Sequence, residues 1–154
     1  MKPAPFSYVR AESLDQVFDL LDEHGDEARI LAGGQSLMAT LNMRLSAPEV
    51  LIDINHLDEL SHISTDGTTL HIGALARHSH VLASPEVQEV APLIAKAMPH
   101  VAHQAIRNRG TFGGSVAFAD PAAEMPAMCR AVGAKLILQG REGKRSVEPN
   151  DFFH

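Results

Sequence analysis

With a single cysteine, Cys129, the chain forms no internal disulfide, and it does not by itself hold an iron–sulfur cluster, which ordinarily takes a full set of thiolates. A reducing, cytoplasmic location is the expected one, and any cluster belongs on another chain. No run approaches the roughly 20 apolar residues needed to cross a bilayer, and no basic segment followed by an apolar one opens the sequence, so neither a membrane span nor export is expected. Basic residues are too few and too scattered to form a nucleic-acid or anionic-membrane surface: 13 Lys and Arg face 19 Asp and Glu, a net charge of -6. Internal repeats, low-complexity tracts and an interdomain linker are also missing. What remains is 154 residues with 45% hydrophobic content, enough for one ordinary core or two small lobes sharing a cleft.

Ser13 precedes Leu14, Val17, Phe18, Leu20 and Leu21, the spacing of an amphipathic helix capped by Ser13 and stopped by Gly25. Residues 29–32 read as a short buried strand, residues 36–45 as a helix closed by Pro48, and residues 50–54 as a second buried strand. Asp66-Gly67 marks a hairpin between residues 61–64 and 69–72. A helical pattern follows over residues 77–108, with Val87, Val90, Ala91, Ile94, Ala95 and Met98 on one face and Pro85 near the start of its segment, until Pro99 breaks the run. A glycine turn at residues 110–114 leads through residues 115–119 to a helix over 122–132, and strands at 135–139 and 144–147 close the sequence as a hairpin.

Glycines stand where strands give way to helices. In Ala32-Gly33-Gly34-Gln35-Ser36-Leu37 the amides of Gly33 to Ser36 form either a cup for a phosphate, with the Ser36 hydroxyl as a further donor, or an ordinary strand–helix connection. A nicotinamide-binding unit is the obvious competitor, because Asp53 follows Gly33 at the distance of a ribose-binding acid. Its Gly-x-Gly-x-x-Gly fingerprint fails, since Gln35 and Met38 occupy the second and third glycine positions. Asp53 reads instead as a local hydrogen-bonding residue at a strand end. The second segment, residues 107–115, carries Gly113 and Gly114 with hydroxyls at Thr111 and Ser115 and reads as a repeat of the same chemistry, two turns bracketing one pyrophosphate. Glu124 is either a ribose acceptor or a first-turn acid favoured by the helix dipole.

Residues 30–37, 51–54, 72–74, 104–115 (Gln-Ala-Ile-Arg-Asn-Arg-Gly-Thr-Phe-Gly-Gly-Ser) and 119–124 (Ala-Asp-Pro-Ala-Ala-Glu) together resemble the flavoprotein subunit of molybdenum hydroxylases, of the aerobic carbon monoxide dehydrogenase and xanthine dehydrogenase type. The resemblance runs in order from Pro3 to Phe153. It implies an α+β, two-lobed FAD-binding domain of the vanillyl-alcohol oxidase and molybdopterin dehydrogenase type. One lobe covers residues 1–55 and an incomplete second lobe residues 56–154, with the pyrophosphate between them. By motif position it assigns Ala32, Gly33, Gly34, Gln35, Ser36 and Leu37, then Val101, then Thr111, Phe112, Gly113, Gly114 and Ser115, and finally Glu124, to the cofactor. The implied role is electron relay, from [2Fe–2S] clusters on a small subunit through FAD to an external acceptor, with the molybdenum cofactor on a large subunit. No acid–base or nucleophilic catalytic residue is expected on this chain, since the flavin carries the redox chemistry.

Members of this family continue beyond Phe153, so the sequence reads as a truncated gene product, a trimmed chain or half of a split subunit. Phe152 and Phe153 are then expected to lack packing partners and to offer apolar surface for oligomerisation. The alternatives to the redox subunit are a non-catalytic FAD-binding or assembly module, and an unrelated nucleotide- or sugar-phosphate-binding domain. Among the nine histidines, His78-x-His80 and His100-x-x-His103 are the best metal pairs, but neither has neighbouring cysteine or clustered acid, and no metal is expected. Arg107 and Arg109 serve either the pyrophosphate or an iron–sulfur partner, or, for Arg107, hold the turn through an ion pair or carbonyl contacts. Met38, Met98, Met125, Met128 and Cys129 read as core packing.

Overall fold

The uninterrupted run Val50-Leu51-Ile52 demands burial on both faces. In the computed structural model, which describes residues 1–153, it forms the middle of a three-stranded sheet. The chain divides into two units, Met1–Asp58 and the residues from Glu59 onward. In the first, β3 (Val50–Asp53) lies between β1 (Ser7–Arg10) and β2 (Ala28–Leu31) and runs parallel to both, with all four of its residues buried. β1 has no counterpart in the sequence reading. It is a short edge strand with one exposed aromatic, held by its backbone pairing to β3.

The connection α1 (Leu14–His24) begins as its spacing predicts. Ser13 Oγ accepts from the Gln16 amide at 3.2 Å, and Gly25 ends the helix at φ 50, where glycine alone is unstrained. Val17 is buried, and α1 packs on β2 and β3. α2 (Leu37–Asn42) is shorter than the expected 36–45: Arg44, at φ 56, has left the helical region well before Pro48.

In the second unit β4 (Ile63–Thr65) and β5 (Leu70–Ile72) form the expected antiparallel hairpin, its turn held by Asp66 Oδ1 accepting from the amides of Thr68 and Thr69. The helical pattern over residues 77–108 forms as a series of short helices. These are α3 (His78–Ala83), α4 (Pro85–Val90), α5 (Pro92–Ala97), a 3₁₀ turn at Met98–His100 and α6 (Gln104–Arg107). Pro85 and Pro92 each open a new helix because neither has an amide to donate into the preceding one. The apolar stripe still converges: Val87, Ile94 and Met98 join Met125, Val116 and Cys129 in one buried cluster. α7 (Phe112–Phe118), α8 (Glu124–Ala131), the hairpin of β6 (Leu136–Gly140) and β7 (Gly143–Val147), and α9 (Pro149–Phe152) complete the unit. Burial pushes the Cys129 thiol up to about 11, as suits inert packing. Among the described residues no helix is long and apolar enough to cross a membrane.

The expectation of unpacked aromatics at 152–153 is corrected. Phe153 is only 8% exposed and belongs to the core, with Phe152 edge-on at 5.1 Å between ring centroids. Arg130 of α8 lies 5.8 Å from the Phe153 centroid and donates to the Phe153 carbonyl.

His78 is the odd member of this interior. It is 5% exposed, and neither ring nitrogen has a hydrogen-bond partner. Burial pushes its pKa below the ordinary value; the nearby Thr111 backbone and the Glu124 charge oppose that shift, and Arg107 adds to it.

Two outcomes are expected. Phe153→Ala should cost about 3 kcal/mol in urea unfolding, the scale of a buried aromatic, rather than the few tenths of a surface change. For His78, the unfolded chain takes up a proton near about pH 6.5 while the folded chain resists it. Stability is then complete above that pH and declines as pH falls toward the lower folded value, at up to about 1.4 kcal/mol per pH unit. Unfolding free energies of wild type and His78→Gln, followed from about pH 7.5 to 5, should show this slope in wild type and its loss in the variant; equal slopes would contradict it.

Candidate functional site

After β2 the chain turns through Ala32–Ser36 before α2. Gly34 sits at φ 71, a conformation that calls for glycine, while a Cβ there would lie 3.2 Å from Met38 Cγ and 3.3 Å from Leu31 Cδ1, side-chain atoms that need give only a few tenths of an ångström. Among the described residues the amides of Gly33, Gly34, Gln35 and Ser36 have no acceptor within the chain; the Met38 amide is paired, to the Gly34 carbonyl at 3.1 Å. Gly33 is itself buried. A buried, unpaired N–H is costly, and an anionic oxygen is the acceptor best suited to a row of such donors. The donor set therefore fits a phosphate group.

A polar network lies behind this turn. Asn55, two residues past β3, donates from Nδ2 to the Ala32 carbonyl at 2.8 Å and to Asp53 Oδ1 at 2.6 Å, while its backbone amide reaches the same Asp53 oxygen at 2.8 Å. The Tyr8 hydroxyl donates to the other carboxylate oxygen. Burial, the largest single influence, pushes the Asp53 carboxyl up, but the bonds from Tyr8 and Asn55, with His56 nearby, outweigh it and hold the carboxyl below its ordinary value. Asp53 is thus the local hydrogen-bonding residue at a strand end that the failed nucleotide fingerprint leaves it to be. Gln35 Nε2 donates to the Gly33 carbonyl at 3.0 Å.

The second glycine segment looks alike in sequence and differs in structure. Gly113 and Gly114 are not in a loop but in the first turn of α7, and neither has positive φ. Their amides are spent. Phe112 donates to the Ala76 carbonyl at 2.9 Å, Gly113 to that of Ala74 at 3.0 Å, Gly114 to Thr111 Oγ1 at 3.1 Å and Ser115 to the Thr111 carbonyl at 3.1 Å. Glycine at 113 serves close packing: a Cβ there would fall 2.5 Å from Ala74 Cα. In this respect the segment does not repeat the chemistry of the first.

Thr111, Phe112 and Val101 are buried, the last two within the core cluster, and Glu124 is the half-buried first residue of α8. Arg107 takes the carbonyl-holding alternative: its Nη1 donates to Val101 and Ala102, each at 2.9 Å, and steadies Ala102 at φ 44. Arg109 is exposed, and its carbonyl accepts from Arg77. Among the described residues no three His, Cys, Asp or Glu side chains converge on a metal position. A concavity of about 580 Å³ between α8 and the aromatic pair includes neither glycine segment. The sequence reading missed Tyr8 and Asn55, because their roles depend on contacts across 45 and 23 positions. Only Asp53, at a strand end, carried a local signal.

Residues 4–154 match the family model described as the FAD binding domain in molybdopterin dehydrogenase. The chain is 42% identical over 154 residues to the caffeine dehydrogenase subunit beta of Pseudomonas sp. (strain CBB1), covering 99% of this chain and 52% of that protein. It is 40% identical to the carbon monoxide dehydrogenase medium chain of Hydrogenophaga pseudoflava, covering 99% of this chain and 53% of that one. Among solved structures, carbon monoxide dehydrogenase from Hydrogenophaga pseudoflava superposes with a TM-score of 0.97 at 40% identity over 100% of this chain and 54% of its own. Quinoline 2-oxidoreductase from Pseudomonas putida 86 gives 0.95 at 43% identity, over 99% of this chain and 53% of its own. The chain thus spans about half the length of the relatives it matches. The α+β architecture agrees with the one the motifs imply, and the chain belongs to the family of FAD-binding domains found in molybdopterin dehydrogenases.

Proposed function

We propose that this chain is the FAD-binding part of a molybdenum-hydroxylase flavoprotein subunit, and that it relays electrons from the [2Fe–2S] clusters of a small subunit to an external acceptor. A large subunit carrying the molybdenum cofactor is the third component. The observation that carries the reading is the row of amides from Gly33 to Ser36 without acceptors, in a chain of an FAD-binding family. When bound, the flavin supplies the redox chemistry. The protein's own part is to hold it: Ala32, Gly33, Gly34, Gln35, Ser36 and Leu37 take the pyrophosphate by backbone donors. Val101, Thr111, Phe112, Gly113, Gly114, Ser115 and Glu124 are the proposed contributors of the second unit. There the donors are hydroxyls rather than the four amides already spent, and Glu124 accepts from ribose hydroxyls.

Titration of FAD followed by flavin fluorescence quenching tests this. Wild type should bind saturably; Gly34→Asp, which places a negative charge in the cup, should weaken binding by at least about 100-fold, about 2.7 kcal/mol. Gly34→Ala, which shares the conformational strain without the charge, should fall in between. Absence of binding by wild type, or equal binding by Gly34→Asp, would overturn the assignment. Reduction of the bound flavin by reconstituted molybdenum and iron–sulfur subunits tests the relay; a flavin that stays oxidised would remove it.

A further inference from the structure

A trans peptide is planar, so its carbonyl and the N–H of the following residue point in opposite directions. Whatever holds the carbonyl therefore aims the next amide. Three consecutive carbonyls enter the first glycine turn, and each has a donor on it. The Leu31 carbonyl accepts from the Ile54 amide at 3.1 Å, that of Ala32 from Asn55 Nδ2 at 2.8 Å, and that of Gly33 from Gln35 Nε2 at 3.0 Å. The first is ordinary main-chain pairing beside the sheet. The other two are made by side-chain amides, at the two peptides whose N–H groups, on Gly33 and Gly34, have no acceptor in the chain.

Asn55 is itself held. Its Nδ2 donates to Asp53 Oδ1 and the Ala32 carbonyl, with a longer contact of 3.5 Å to the Leu31 carbonyl, its backbone amide returns to Asp53 Oδ1, and Asp53 Oδ2 is fixed by Tyr8. All three Nδ2 partners are pure acceptors, so the side-chain amide has one satisfying orientation. The support comes from β1 and β3, a rigid element, and reaches the turn through a single side chain. From this geometry we infer that Asn55 and Gln35 are positioning residues for the cofactor's pyrophosphate. They clamp the Ala32 and Gly33 carbonyls and so commit the Gly33 and Gly34 amides to the phosphate oxygens. The inference rests on the reading of this turn as the pyrophosphate site and adds to it Asn55, and a side-chain role for Gln35, both acting through the backbone.

Asn55→Leu keeps the branched shape and removes the side-chain amide; Gln35→Met removes it at an exposed position where folding is not at stake. Each is titrated with FAD, with ADP, which keeps a pyrophosphate, and with riboflavin, which has none. Melting is followed alongside. Asn55→Leu should lose about tenfold or more in affinity for FAD and ADP, Gln35→Met about three- to tenfold, with riboflavin binding unchanged within about twofold. Tyr8→Phe, which loosens Asp53 only, should give a smaller loss in the same pattern. In the ¹⁵N spectrum of the free chain, Asn55→Leu should move the Gly33 amide resonance before any ligand is added. Undiminished FAD affinity in Asn55→Leu, or a loss shared equally by riboflavin, would overturn the inference while the Gly34→Asp result still upholds the site. If Asn55→Leu fails to fold, the Gln35→Met and Tyr8→Phe titrations decide. Wild type that binds neither FAD nor ADP overturns both.

Discussion

Peptide planarity is the constraint on which the first glycine turn depends. An amide of the main chain is not aimed by its own residue but by whatever engages the carbonyl one position earlier. At Ala32 that partner is Asn55, tied to Asp53, which is tied in turn to Tyr8 on the neighbouring strand. The network lies at the end of β3, the most buried strand of its unit. Burial works against the Asp53 charge and hydrogen bonds restore it, so the network is sound only while every member is satisfied. The unclaimed Gly33 amide, opposite the Ala32 carbonyl that Asn55 holds, stands at the end of that arrangement.

Two segments with paired glycines need not use them alike. At Gly34 the glycine is required by a positive φ, and the surrounding amides stay open. At Gly113 it is required because the backbone of Ala74 passes too close for a side chain, and the amides are consumed in that same approach. The second segment is therefore the better packed and the first the better donor. Among the described residues, His78 is the buried side chain whose ring nitrogens lack a hydrogen-bond partner, with Arg107, Thr111 and Glu124 nearby.

Local chemistry made much of this readable in advance. α1 follows from its spacing, its Ser13 cap and Gly25; β3 follows from three branched apolar residues; both hairpins follow from their turn residues. The failures share a cause, which is that the deciding partner is distant in sequence. β1 is a strand because β3 is there to pair with it. The tract after Arg77 reads as helical, with a segment opening near Pro85 and a break at Pro99; the further split at Pro92 goes unread, while the apolar stripe still reaches the core. Asn55 carries no signal of its own, and the end of the chain reads as unpacked until Arg130 is seen against Phe153. The family resemblance was legible from ordered motifs, whereas the division of labour between the two glycine segments needed coordinates.

The most direct test is the ¹⁵N–¹H spectrum of the labelled chain with and without FAD. If the turn after β2 is the pyrophosphate site, the amides of Gly33, Gly34, Gln35 and Ser36 shift downfield together on saturation, as donors that gain an anionic acceptor do. If flavin fluorescence reports saturation while those four resonances stay in place, the cofactor is held elsewhere and the role assigned to this turn is wrong.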